Sequence, residues 1–241
     1  MLRTIWAGLV AVVVTIPLAL ATLLVAAIRS NARAIDGITR LWARLILSGA
    51  GIDLRAERTE TIDRKQRYII VANHSSYFDI PCIFAAIPQP IRFMAKISLF
   101  KIPIFGWAIG RAGFIPIDRK NRRTAVKSFE LAVERIRKGN TVVVFPEEGR
   151  SRQRTMRDFQ RGGFLLALRS GLPILPVAIV GTYDVFSANA KRVTPGPVTV
   201  RVGTPIPTDG LTVREKDRLL RESREQILSM LGMRDGARDE G

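Results

Sequence analysis

The sequence predicts an α/β fold, a layered sheet flanked by helices, behind an N-terminal membrane-associated helical segment. Three observations predict it. Beyond residue 60, short apolar β-rich runs alternate with helical periods, the pattern of a parallel or mixed sheet. Ahead of them lies one long uncharged apolar run. The 241 residues are 47% hydrophobic and 24% charged, close to the globular average, which excludes a disordered basic tail and suffices for one sizeable core.

From Thr4 to Ile28 no residue is charged. At ~1.5 Å per residue the run makes a helix of ~37 Å, against a hydrocarbon core of ~30 Å. A secretory signal competes, because Arg3 precedes the run and Ala32-Arg33-Ala34 mimics a cleavage site, but the apolar part of a signal is only ~7 to 15 residues long. Pro17 removes one helical hydrogen bond mid-run, so a bent or re-entrant insertion stands beside a straight span. Next, Ile35, Ile38, Trp42, Leu45 and Ile46 recur at helical spacing over Ile35 to Leu47. Such a stripe faces lipid in an interfacial helix or protein in a core helix, and periodicity does not choose. Arg29, Arg33, Arg40 and Arg44 follow the apolar run against Arg3 before it, which places the bulk of the chain in the cytoplasm. Residues 1–58 are therefore expected to form the membrane segment and amphipathic helix, residues 59–232 the α/β domain, and residues 233–241 a frayed tail.

In that domain the strand candidates are Tyr68 to Ala72, Gly113 to Ile117, Thr141 to Phe145, Ile174 to Val180 and Val198 to Val202. Val126, Phe129, Val133 and Ile136 form one helical face closed by Gly139, and Val213 to Gly232 offers a second helix. Three strand candidates run straight into polar residues: Asn73-His74, Asp118-Arg119 and Pro146-Glu147-Glu148-Gly149-Arg150. The crevice at the carboxyl ends of strands is where open α/β sheets bind ligands.

His74 is the only histidine and Cys82 the only cysteine, so imidazole chemistry falls on His74, and histidine or thiolate metal clusters and disulfides are excluded. Asp79 follows His74 by five residues, ~140° away on a straight helix, but a turn entering a helix at Pro81 brings the pair together. The carboxylate then fixes the imidazole tautomer and raises its basicity, as a general base for a hydroxyl requires. Cys82 reads as a small buried core residue. The net charge is +17, from 38 Lys and Arg against 21 Asp and Glu, and it attracts nucleic acid, anionic membrane or phosphorylated substrates. Between Ile80 and Phe129 nine basic residues face Asp118 alone. Most such runs are solvated faces, whereas Arg119 and Arg150 follow strand ends, where guanidinium forks grip phosphate. Aromatic residues are 7% and are not interleaved with the arginine runs, which argues against nucleic acid as partner.

Four ordered blocks extend this reading: His74 to Asp79; Gly113-Phe114-Ile115-Pro116-Ile117-Asp118-Arg119; Phe145-Pro146-Glu147 with Gly149-Arg150-Ser151; and Ile174-Leu175-Pro176-Val177. Over roughly residues 65 to 185 the chain resembles the bacterial lysophosphatidic acid acyltransferases of the glycerolipid acyltransferase superfamily. The resemblance implies acyl transfer from a thioester of coenzyme A or acyl carrier protein to the sn-2 hydroxyl of lysophosphatidic acid at the cell inner membrane, with no resident cofactor. It implies His74 as general base oriented by Asp79, with Arg119, Glu147, Gly149, Arg150 and Ser151 in glycerol-phosphate-binding motifs. Lys96 is a further phosphate candidate, and Pro176 belongs to a motif on the acyl side. The third block departs from the family's usual Phe-Pro-Glu-Gly-Thr-Arg-Ser: Glu148 and Gly149 stand where Gly and Thr are usual. Another lysolipid acceptor is the alternative within enzymes. A non-catalytic membrane-anchored basic protein that binds anionic lipid or nucleic acid is the alternative outside them.

Overall fold

The computed structural model describes residues 1–28, 32–118 and 122–233. In chain order the elements are α1 (Leu2–Ile28), α2 (Ala32–Ala50), β1 (Ile52–Glu57), β2 (Ile69–Ala72), α3 (Asp79–Ala86), β3 (Ile91–Lys96), α4 (Phe105–Arg111) and β4 (Ile115–Ile117). There follow α5 (Arg122–Arg137), β5 (Thr141–Val144), α6 (Gly162–Ser170), β6 (Ile174–Val180), α7 (Thr182–Phe186), β7 (Gly196–Val202) and α8 (Lys216–Leu231). The expected α/β class holds, with the helices on both faces of a seven-stranded sheet ordered β1-β7-β6-β2-β5-β3-β4. From β6 to β4 all pairings are parallel, β7 lies antiparallel to β6, and β1 lies parallel to β7.

The strands are apolar on both faces because both are covered. Ile70, Ala72, Val143 and Leu175 turn to one core with Ala43 and Leu47 of α2 and Cys82, Ile83 and Phe84 of α3. Ile69, Val71, Val142 and Val144 turn to the other, with Phe164, Leu166, Leu219 and Ile227 from α6 and α8. Pro176 sits in central β6, paired in register with Val71. Its carbonyl accepts the Gly203 N–H on the β7 side, and the antiparallel ladder there begins only at Val177. Its missing N–H therefore costs no bond to β2.

The structure resolves the choice left open for Ile35 to Leu47: Ile35, Ala43 and Leu47 are buried and Trp42 and Ile46 pack on the core, so this face of α2 is a core face. Leu45, expected in the same stripe, is instead exposed at its margin together with Leu41. Two polar ties fix the helix. Arg40 donates to the carbonyls of Ile87 and Gln89 after α3, and buried Arg92 pairs with Asp36 at 2.6 Å. The expected boundary at residue 58 falls after β1, which is a full member of the sheet. Helix α1 runs unbroken through Pro17 and exposes Leu2, Ile5, Trp6, Leu9, Val12, Val13, Ile16, Leu20 and Leu24. Its opposite flank is fastened to the domain. Thr4 Oγ1 accepts the Val193 N–H, Thr15 Oγ1 accepts the indole N–H of Trp42, and Gly49 leaves the room that Val10 occupies. The tail beyond Met233 lies outside the described residues.

Candidate active site

Strand β2 delivers His74 and α3 delivers Asp79, with the turn between them folded so that both meet at the carboxyl edge of the sheet. Asp79 is the first residue of α3 and Pro81 lies in the same first turn, where proline's missing N–H is no loss. The Asp79 carboxylate leaves its own helix uncapped and turns back on the preceding loop. Oδ2 lies 2.7 Å from His74 Nδ1 and accepts the N–H groups of Ser75 and Ser76 at 2.7 and 2.8 Å. Oδ1 accepts the hydroxyl of Thr182 at 2.6 Å. Asp79 is fully buried, while the His74 side chain keeps 16% of its surface exposed. With Oδ2 as acceptor, Nδ1 carries the proton and Nε2 keeps its lone pair. The imidazole stacks on Phe145 at 4.1 Å between centroids, fixing the ring plane.

The loop after β5 encloses the backbone of His74. Glu147 Oε1 accepts the His74 N–H at 2.6 Å and Oε2 accepts the Arg157 N–H at 2.8 Å. Ser151 N–H donates to the His74 carbonyl at 2.8 Å. Glu147 is buried, and burial raises its carboxyl to about 7 despite the two N–H donors, with the charge of Asp79 pushing the same way. Arg150, on this loop, holds its guanidinium 3.5 Å from the ring centroid of Tyr77. Asn73 ties β2 to β6 with its side chain, Nδ2 donating to the Ile179 carbonyl and Oδ1 accepting the Ile179 N–H. An oriented base, an adjoining guanidinium and an exposed aromatic ring can together bind an anion and abstract a proton beside it.

The acyltransferase family model matches residues 53–180, more than half of the chain. The chain is a member of the acyltransferase family. It is 32% identical over 181 residues to human 1-acyl-sn-glycerol-3-phosphate acyltransferase alpha, covering 75% of this chain and 64% of that one. It is also 32% identical over 164 residues to a 1-acyl-sn-glycerol-3-phosphate acyltransferase of Chlamydomonas reinhardtii, covering 68% and 48%. The chain spans about half the length of several curated relatives it matches. The crystal structure of the 1-acyl-sn-glycerophosphate acyltransferase PlsC from Thermotoga maritima superposes with a TM-score of 0.83 at 26% identity, covering 96% of this chain and 94% of that one.

Within this member of the family the expected site residues divide. His74, Asp79, Glu147, Arg150 and Ser151 are brought together; Arg119 lies outside the described residues. Lys96 is exposed at the end of β3, next to the strand that leads toward Arg119. Glu147 and Ser151, expected to touch the headgroup, are buried: both Glu147 oxygens hold backbone N–H groups, and the Ser151 hydroxyl lies 2.8 Å from the carbonyls of Gln153 and Thr155. They shape the loop that carries Arg150. Gly149 faces the Arg157 guanidinium, which a Cβ would meet at 2.9 Å. Pro176 is buried in the sheet rather than lining an open surface. Cys82 is buried in the core, and burial pushes its thiol up, which leaves it inert. Arg154 pairs with Asp184 and Arg161 with Asp217 on exposed surface, in keeping with solvated arginines. The sequence reading missed Thr182, Tyr77 and the tie made by Asn73. The strand-end rule applied to β6 as well would have found Thr182.

Proposed function

We propose that this protein transfers a fatty acyl group from an acyl thioester to the free sn-2 hydroxyl of lysophosphatidic acid, giving phosphatidic acid. The observation that carries the reading is the His74–Asp79 pair, set at the carboxyl edge of the sheet beside Arg150. Membership of the acyltransferase family and the names of the relatives support the same substrate class. Nε2 of His74 takes the hydroxyl proton as the alkoxide oxygen attacks the thioester carbonyl; the carbon–sulfur bond then breaks, and the imidazolium returns the proton to the leaving thiolate. An activated carbonyl attacked directly by an oriented hydroxyl needs no covalent enzyme intermediate. Arg150, together with Arg119 two residues beyond β4 in the sequence, supplies the charge for the acceptor phosphate. The donor is an acyl thioester of coenzyme A or acyl carrier protein.

The exposed apolar face of α1, a helix long and apolar enough to cross a membrane, attaches the domain to an anionic bilayer on the cytoplasmic face of the inner membrane. Because its inner flank is tied to the domain at Thr4, Val10 and Thr15, α1 lies in the plane of one leaflet. The test is direct. Purified protein on phosphatidylglycerol vesicles, given lysophosphatidic acid and an acyl-CoA, yields phosphatidic acid and free thiol in equal amounts; acylation of a lyso-aminolipid in preference would move the acceptor to the other class.

A further inference from the structure

We infer that Thr182 is a positioning residue of the catalytic pair, acting through a hydroxyl chain that runs from Ser75 to Thr182 to Asp79 to His74. The inference rests on the reading of His74 as the base. Of the two Asp79 oxygens, Oδ2 is held by the imidazole and two backbone N–H groups, and Oδ1 accepts from Thr182. The Thr182 proton is committed to Oδ1, so Ser75 Oγ, 3.0 Å away, is the donor to Thr182 Oγ1. Each hydroxyl polarises the next, and the chain ends on the carboxylate that orients the imidazole.

The fold is built to put this hydroxyl there. Thr182 opens α7 after a turn at Gly181, whose φ of +95° and a Cβ position 2.6 Å from the Pro197 carbonyl oxygen admit only glycine. Asn73, one residue before the base, clasps Ile179 three residues before Thr182, so the ends of β2 and β6 are held in one register. Thr182 and Asp79 are both fully buried, so water does not reach Oδ1 to replace the hydroxyl. Loss of that donor leaves a buried carboxylate oxygen unpaired, and the carboxylate rotates away from Nδ1 to recover a partner.

The experiment compares Thr182→Val, which keeps the volume and removes the hydroxyl, with Thr182→Ser, which keeps the hydroxyl and removes the methyl, and with His74→Ala. In Thr182→Val kcat falls about 10- to 100-fold, the range expected for an unpaired buried acceptor. The Michaelis constants of both substrates stay within about twofold, since binding groups are untouched. Thr182→Ser keeps kcat within about threefold of wild type. Because His74 is the only histidine, its Nδ1 proton gives a single downfield NMR signal, present in wild type and Thr182→Ser and lost to exchange in Thr182→Val. If Thr182→Val does not fold, Thr182→Cys, with a poor donor in nearly the same volume, replaces it with the same expectation. A hydroxyl-free variant with wild-type kcat overturns the inference, as does a serine variant as slow as valine. Wild-type turnover in His74→Ala overturns instead the reading of the base, so the two failures are told apart.

Discussion

The Glu147 carboxylate holds the backbone N–H of His74 at 2.6 Å, so the loop that carries Arg150 and the turn that carries His74 are one hydrogen-bonded unit. Its other oxygen grips Arg157, and the Ser151 N–H closes the ring from the far side of His74. The Arg150 loop and His74 are therefore placed together, and the acid that joins them has its own titration.

Burial raises Glu147 from 4.5 to about 7 in the folded protein. Between those values the folded chain holds a proton that the unfolded chain has released, so stability falls as pH rises from about 4.5 to about 7, by roughly 3 kcal/mol in full. Glu147→Gln does not titrate and removes this slope, at the cost of one of the two N–H partners. Thermal unfolding of both proteins from pH 5 to pH 8 checks it: the wild type loses stability relative to the variant as pH rises, and parallel curves would refute the shift.

Glu148 adopts φ +55°, in the left-handed region that glycine occupies without strain. The family's usual glycine at this place has a reason in this backbone, and the sequence departs from it at a cost of about 1 kcal/mol. Glu148→Gly is expected to raise the melting temperature by a few degrees and to leave turnover intact, because the Glu148 side chain is exposed. A lowered melting temperature would show that the side chain makes up for the strain.

Arg150 lies over the ring of Tyr77, which itself is 60% exposed. Arg150→Ala is expected to raise the Michaelis constant for the phospho-acceptor by about 10- to 100-fold, with little change for the thioester, as loss of a charge-assisted contact predicts. Tyr77→Leu should raise it only a few-fold, in line with a cation–π contact of about 0.5 to 1 kcal/mol. Steady-state constants for both substrates decide between this and a general basic surface, for which both would shift together.

A helix that lies in one leaflet leaves its N-terminus and the domain on the same side of the bilayer. A reporter at residue 1 and one after residue 233 should both be modified by an impermeant reagent in inside-out vesicles and neither in right-side-out vesicles. Opposite labelling of the two would mean that α1 crosses.

The class of fold, β6 and the meeting of His74 with Asp79 were legible because strand hydrophobicity and a single histidine leave few choices. Strand β1 was not, since Ile52 to Glu57 alternates with Asp53, Arg55 and Glu57 on an edge strand and shows little apolar signal. Strand β3 carries a buried Arg92 as its second residue, whose charge masks the strand until Asp36 is seen to pair with it. Sequence separation hid Thr182, which is 103 residues from its partner Asp79 and reaches it only because β6 and β2 are neighbours. The role of Glu147 was hidden for the same reason: a carboxylate in a phosphate-binding block reads as a ligand group until its two backbone partners are seen.

The central claim, that His74 Nε2 removes the acceptor proton, is tested most directly by single-turnover acyl transfer in His74→Ala on the same vesicles. A positioned base contributes about 10²- to 10⁴-fold, so the rate should fall by that factor while binding of both substrates and the melting temperature stay near wild type. Acyl transfer at the wild-type rate in the folded His74→Ala protein would contradict it.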